Sequence, residues 1–318
     1  MDAGRRIFLA QTTALAGAGL LGCERPPAPA PAVIVKDERR VVQSLRGMPT
    51  TDGAGVRLLR VIGQPALRHL DPFVLLDRIF SDDPSAYIRG FPNHPHRGFE
   101  TVSVMLDGRM RHKDSRGNEG LITGGGAQWM TAGRGIVHSE MPEQDQGLVH
   151  GFQLWINLPA SEKLCSQAYQ DLAPARLAAG ALSGGGSVRV IAGNHQGLAG
   201  PVRPRPTEPT LLTLALEDER PFVLDVPREH TAFAFVHTGV AHLGPEGTAT
   251  RVSSGELALF GPGNRIRIRA AGERAGLVVA AARPLREPVV QSGPFVMNTE
   301  AEIAKAWDDY RAGVLDKA

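Results

Sequence analysis

His94-Pro95-His96-Arg97-Gly98-Phe99-Glu100 and, further on, Gly133-Arg134-Gly135-Ile136-Val137-His138-Ser139-Glu140 are the segments on which the chain's organisation turns. Successive side chains of a β-strand alternate faces, so residues two apart point the same way, about 7 Å apart. His94 and His96 form one such pair, His138 and Glu140 another. If their strands lie side by side in a small barrel, the pairs converge on one ion and offer it three imidazoles and a carboxylate. That donor set lacks thiolates and suits iron, nickel, copper, manganese or zinc held by nitrogen and oxygen.

Working outward, the even positions from His94 to Leu106 include His96, Glu100, Val102 and Val104, while Arg97, Thr101 and Ser103 are odd. The ligand face is therefore expected to be the core face, with Glu100 on it. Asp107-Gly108 is a strong short hairpin signal, and further turns fall at Ser115-Arg116-Gly117-Asn118 and Gly124-Gly125-Gly126. Ala127 to Met130 reads as a strand. So does Val149 to Leu158, where Phe152, Leu154, Ile156 and Leu158 alternate with Gln153, Trp155 and Asn157. Short strands linked by tight turns indicate an antiparallel sandwich or barrel.

Composition agrees. The chain has 318 residues, 42% hydrophobic and 21% charged, enough for two small all-β domains. Its 37 glycines and 24 prolines favour strands and turns over long helices. A net charge of +2, without basic runs interleaved with aromatics, gives no nucleic-acid signal. Two cysteines, Cys23 and Cys165, are too few for a disulfide framework, and Cys165 reads as incidental.

The N-terminus carries its own message. Arg5-Arg6 in Gly4-Arg5-Arg6-Ile7-Phe8-Leu9 resembles a twin-arginine export signal. Gln11 to Leu21 is apolar but too short to span a membrane, and Leu20-Leu21-Gly22-Cys23 resembles a lipobox. Residues 1–22 are thus expected to be a lipoprotein signal peptide, with Cys23 lipidated and the protein anchored on the periplasmic or cell-envelope side. Residues 23–40, rich in proline and alanine, read as a tether.

An N-terminal metal-binding domain is expected over 41–165, a linker over 166–186, and a second β-rich domain over 187–318. His230, His237 and His242 in the second half form no His-x-His pair with a distant His-x-Glu, so no metal is expected there. Thr299-Glu300-Ala301-Glu302 resembles a capping box. Ile303, Ala306, Trp307 and Tyr310 then recur at helical spacing, predicting one amphipathic C-terminal helix packed on a barrel.

These residues resemble the pirin family of the cupin superfamily. The likeness rests on Leu70-Asp71-Pro72-Phe73, on His94 to Val102, on Gln128 to Pro142, on Gln153 to Pro159 and on Gly293 to Thr299. It implies an all-β fold of two stacked cupin barrels, of the double-stranded β-helix or jelly-roll type, with a short C-terminal helix. It further implies one mononuclear metal held by His94, His96, His138 and Glu140, with Fe(2+) the usual ion and Ni, Cu, Mn or Zn as alternatives. Because the fourth ligand in the family falls at Glu140, Glu100 becomes an expected hydrogen-bond acceptor that orients an imidazole. Gly124-Gly125-Gly126 departs from the family, which often has Pro-Gly-Asp there.

The resemblance implies oxidative opening of a flavonol such as quercetin, with dioxygen and a small phenol as substrates. Four protein ligands leave an octahedral ion up to two positions for them, and Glu140 is the expected base for the phenol's proton. The alternative is a non-catalytic, redox-responsive iron protein that binds a partner in the cell envelope. An exported location speaks against gene regulation. His112 and His150 read as structural, since neither pairs with another ligand type at period two. Gln128, Trp129 and Met130 are candidates for the cavity wall, Trp129 equally for the core. Gly133 and Gly135 carry no phosphate-loop signature and shape the turn that delivers His138. No Ser-His-Asp or Cys-His set points to covalent catalysis.

Overall fold

A computed structural model describes residues 36–144 and 146–317. The expected signal peptide, Cys23 and most of the expected tether lie outside the described residues.

The first part of the chain forms twelve strands: β1 Val41–Arg46, β2 Met48–Asp52, β3 Val56–Ile62, β4 Phe73–Ser81, β5 Phe91–His96 and β6 Phe99–Asp107, then β7 Arg109–Asp114, β8 Glu119–Thr123, β9 Ala127–Thr131, β10 Ile136–Pro142, β11 Val149–Asn157 and β12 Ala168–Leu172. Two antiparallel sheets result, one of seven strands in the order β12-β9-β6-β11-β4-β3-β2 and one of four in the order β5-β10-β7-β8. The Asp107-Gly108 turn does not close a hairpin. It carries the chain from β6 in the larger sheet to β7 in the smaller, as a jelly roll requires. The turn after Asp114 does close one: β7 pairs with β8, and Asp114 Oδ1 accepts from Arg116 N and Asn118 N, both at 2.9 Å.

The second half builds a nine-stranded sheet around the long strands Thr231–Leu243 and Arg265–Ala282. It encloses its own apolar core, including Leu224, Ala234, Val252, Ile266 and Ile268. Another core joins the halves: Val102, Val104, Trp129, Phe152 and Leu154 pack with Phe233, Phe235, Leu257 and Val278. Phe73 and Phe233 meet edge to face at 5.0 Å. The architecture is two stacked cupin barrels.

Each end of the described residues serves the opposite half. β1 is hydrogen-bonded to Glu256–Phe260 of the second sheet, so this strand lies in the C-terminal barrel. Residues 36–40 are docked there too: the buried Arg39 donates to the carbonyls of Gly263, His230 and Pro227 at 2.7–2.8 Å. At the other end, helix α1 (Glu300–Arg311) is closed by the expected capping box, with Thr299 and Glu302 bonded reciprocally. Its buried Ile303 and Ala306 pack with Phe295, Met297 and Leu315, and Trp307 and Tyr310 flank them. Asp309 of α1 holds Arg97, at the end of β5, in a 2.7 Å ion pair.

Candidate metal centre

β5 and β10 are antiparallel neighbours, with His138 opposite His94 and Ile136 opposite His96. Along β10 the burial alternates strictly, so Ile136, His138, Glu140 and Pro142 share the inward face. His94, His96 and His138 thereby converge, each offering a ligand atom within 4.8 Å of the others. His96 and His138 are almost fully buried, and His94 is half-buried on the same cavity.

Hydrogen bonds decide which nitrogen each ring presents. His94 Nδ1 lies 2.9 Å from the Pro92 carbonyl and His96 Nδ1 3.4 Å from that of Pro294. A carbonyl only accepts, so in both rings Nδ1 carries the proton and Nε2 keeps its lone pair. His138 Nδ1 lies 3.2 Å from His112 Nδ1. The Nε2 atoms of His96 and His138 are buried without a hydrogen-bond partner. Buried nitrogens with lone pairs and no donor nearby fit a metal ion, which would satisfy them. Burial, reinforced by the neighbouring imidazoles, pushes the pKa of both rings well below the usual histidine value. They are therefore neutral at physiological pH, the form that ligates.

Glu140 lines the same cavity, fixed by two donors. Ser103 Oγ donates to Oε1 at 2.8 Å and Gln153 Nε2 to Oε2 at 2.6 Å. Trp155 Nε1 donates to Gln153 Oε1 at 3.0 Å, which fixes the amide with its NH2 toward Glu140. The pair belongs to a polar row across the larger sheet, where Arg60, Asp77, Gln153, Ser103, Gln128 and Asp171 stand opposite one another from strand to strand. The cavity measures about 950 Å³ and is lined by Arg60, Asp77, Met105, Trp155 and Gln291 besides His94, His96, Ser103, Glu140 and Gln153. Burial lifts the Asp77 carboxyl to about 6 against the opposing pull of Arg60, with which it makes two hydrogen bonds of 2.7 and 3.0 Å.

Several sequence-based expectations change here. Glu100 does not orient an imidazole. β5 ends at His96 and β6 begins at Phe99, with Gly98 between them at φ +90°, so the parity carried from His94 does not continue into β6. Ser103 and Met105 face the cavity. Val102 and Val104 turn to the core between the halves. Glu100, on their side, takes a 2.7 Å bond from Thr131 and a 2.5 Å ion pair from Arg205. His112, read as structural, touches His138 directly. Trp129 and Met130 are core residues and Gln128 binds Asp171 at 2.7 Å, so none of the three lines the cavity. Ser103, Gln153 and the Pro294 carbonyl escaped the sequence reading. The odd-position polar residues of β6 and β11, opposed in a shared register, were the signal for the first two.

An imidazole cluster opening into a cavity inside one of two stacked all-β barrels defines a cupin-type protein with a metal cofactor. The chain belongs to the pirin family. The family's sequence model, described as Pirin, matches residues 55–156, and the one described as Pirin C-terminal cupin domain matches residues 211–316. A Pseudomonas aeruginosa protein provisionally named as a quercetin 2,3-dioxygenase is 46% identical over 282 residues, 87% of this chain and 98% of the relative. A pirin-like protein of Caulobacter vibrioides is 44% identical over 276 residues, 86% and 98% of the two chains. The crystal structure of a quercetin 2,3-dioxygenase from Acinetobacter baumannii superposes with a TM-score of 0.80 at 30% identity, covering 87% of this chain and 98% of that one.

Proposed function

We propose that the chain is a mononuclear metal dioxygenase that opens the ring of a flavonol such as quercetin. The observation that carries this reading is the convergence of His94, His96 and His138, with His94, His96 and Glu140 lining a cavity of about 950 Å³ that can admit a flat phenol. The names of two similar proteins support the same chemistry.

In this reading His94, His96, His138 and Glu140 hold the ion, and iron is the preferred metal. When bound, the metal supplies a Lewis-acid and redox centre at which an electron-rich phenolate and dioxygen meet. The protein's own part is proton handling and positioning. Glu140 accepts the proton of the flavonol hydroxyl, and Ser103 and Gln153 hold that carboxylate in place. Phe99 and Trp155 pack on His96 at 5.1 and 5.0 Å and limit its ring motion.

The test uses the compact unit from Lys36 onward, loaded in turn with iron, nickel, copper, manganese and zinc. Quercetin absorbance and oxygen uptake are followed together. Matched loss of both by the loaded protein, abolished in His138→Ala, is the expected result; equal loss with the variant overturns the proposal. Turnover without oxygen uptake would assign a different reaction, and an absence of turnover with every metal would favour a non-catalytic iron protein.

The order of Arg5-Arg6, the apolar stretch and Cys23 supports a second part of the reading, export and lipid anchoring in the cell envelope. Labelling cells with a radioactive fatty acid checks it: the label should enter the parent protein and be lost in Cys23→Ser.

A further inference from the structure

The two halves meet on the other side of the larger sheet from the metal, and the ends of that interface differ in character. One end is closed by the Glu100–Arg205 ion pair and the middle is apolar. The other end is an open groove of about 280 Å³ lined by Leu106 of the first half and by Ser187, Arg189, Thr213, His237 and Arg274 of the second.

Positive charge collects there with no ion-paired acid among the described residues. Arg189 and Arg274 make no ion pair among the described residues, and the Nε of Arg189 is buried with no hydrogen-bond partner. The Arg189 guanidinium lies against the Gly124-Gly125-Gly126 turn, where a Cβ on Gly125 would come within 2.9 Å of Nη1. That turn presents backbone and no side chain. Behind the groove His237 meets His150 at 5.1 Å between ring centroids. His150 Nε2 in turn accepts from Arg78 Nε at 3.2 Å. Arg78 is only 8% exposed and among the described residues has no carboxylate partner, only this imidazole and the face of Phe80 at 4.3 Å. Burial holds both histidines to about 3, so they add hydrogen-bonding groups and no charge. Among the described residues the acid on the groove is the exposed Glu217, which makes no ion pair with either arginine.

We propose that this groove is a binding site for a small oxyanion, a phosphate or carboxylate group, held by Arg189 and Arg274 with Ser187 and Thr213 as neutral donors. The half-buried Arg189 guanidinium, without an anion, carries a desolvation cost that a bidentate oxyanion removes, and the exposed Arg274 adds a second positive charge on the same groove. The site is independent of the metal centre.

Titration calorimetry of the full chain with inorganic phosphate and, separately, malonate tests this, with chloride at equal ionic strength as the control. Saturable binding of at least one probe is expected. It should weaken about tenfold in Arg189→Gln and in Arg274→Gln, and tighten several-fold in Glu217→Gln. All three positions lie on the accessible groove, so the variants keep the fold, and circular dichroism verifies it. Tighter phosphate than malonate binding assigns a phosphate-type ligand, and the reverse assigns a carboxylate. Heats no larger than those of chloride, or affinities unchanged in all three variants, overturn the proposal.

Discussion

His112 Nδ1 lies 3.2 Å from His138 Nδ1, across the paired strands β7 and β10. Two nitrogens at this distance share one proton, and only one arrangement suits a ligand. If His138 donates, its Nε2 keeps a lone pair and His112 carries its own proton on Nε2; if His112 donates, His138 Nε2 is protonated and cannot ligate. In the ligating arrangement His112 is the acceptor that holds the His138 ring. Removing the partner, in His112→Ala, should lower metal affinity about 10- to 100-fold. Competition with a chromophoric chelator measures it. An unchanged affinity would show that His138 needs no orienting partner.

The two donors on Glu140 make a separate prediction. A hydrogen bond to a charged group contributes about 1.5–3 kcal/mol, so Gln153→Leu should weaken the hold on the carboxylate enough to cost about 10- to 100-fold in kcat. Ser103→Ala should act in the same direction. Glu140→Gln, which removes the base itself, should cost about 100- to 10,000-fold. The proposed role requires the loss in Gln153→Leu to appear in kcat with KM little changed. A rise in KM alone would place Gln153 in substrate binding instead.

Much of this was legible in the chain, for physical reasons. Period-two alternation placed His138 and Glu140 on one face, and β10 shows that alternation without a break. The capping box at Thr299 is a local pattern and appears as read. Parity failed where the backbone itself changed, at Gly98, whose φ of +90° resets the alternation and sends Glu100 to the interface between the halves. A Cβ there would also lie 2.0 Å from the Val296 carbonyl oxygen. Register was the other limit. Asp77, Gln153 and Ser103 stand opposite one another only because β4, β11 and β6 are neighbours, and strand order is not written in any one strand. For the same reason nothing in β1 announced that it would join the second sheet.

Asp309 and Arg97 tie α1 to the strand that carries His94 and His96. Both are buried and 2.7 Å apart, and Arg97 also donates to the Leu315 and Arg134 carbonyls. Replacing Asp309 by Asn leaves a buried guanidinium without its anion, at a cost of about 3 kcal/mol near neutral pH. The bond from Arg97, followed by that from Lys305, holds the Asp309 carboxyl below its ordinary value. Its stabilisation is therefore fully present above the unfolded value near 3.8 and fades as pH falls through the lower folded one. Urea titrations should show the parent more stable at pH 7 and the two proteins converging towards pH 2. A constant gap across that range would mean the carboxylate charge is not what stabilises the contact.

Lys163 also favours the parent as pH rises, but at alkaline pH and for the opposite reason, because here the charged form is the disfavoured one. Its ammonium is 1% exposed and donates to the Gly98 and Val296 carbonyls, both at 2.9 Å, and to Asn157 Oδ1 at 2.6 Å. It thereby fastens the turn after the histidine strand to the C-terminal hairpin. Burial lowers its pKa from 10.5 to about 8, only partly offset by Glu287 and Glu302. Between those values the unfolded chain binds more protons than the folded one, so the desolvation cost is full below pH 8 and relieved as pH rises. The parent should gain stability relative to Lys163→Met from pH 8 to pH 10. The gain is diagnostic, because a surface lysine in an ordinary ion pair would show none over that range and would lose stability only above the unfolded value of 10.5. Denaturation midpoints of both proteins at half-unit pH steps read the difference directly. A parent that gains nothing over that interval would mean that the three acceptors hold the ammonium at least as strongly as burial opposes it.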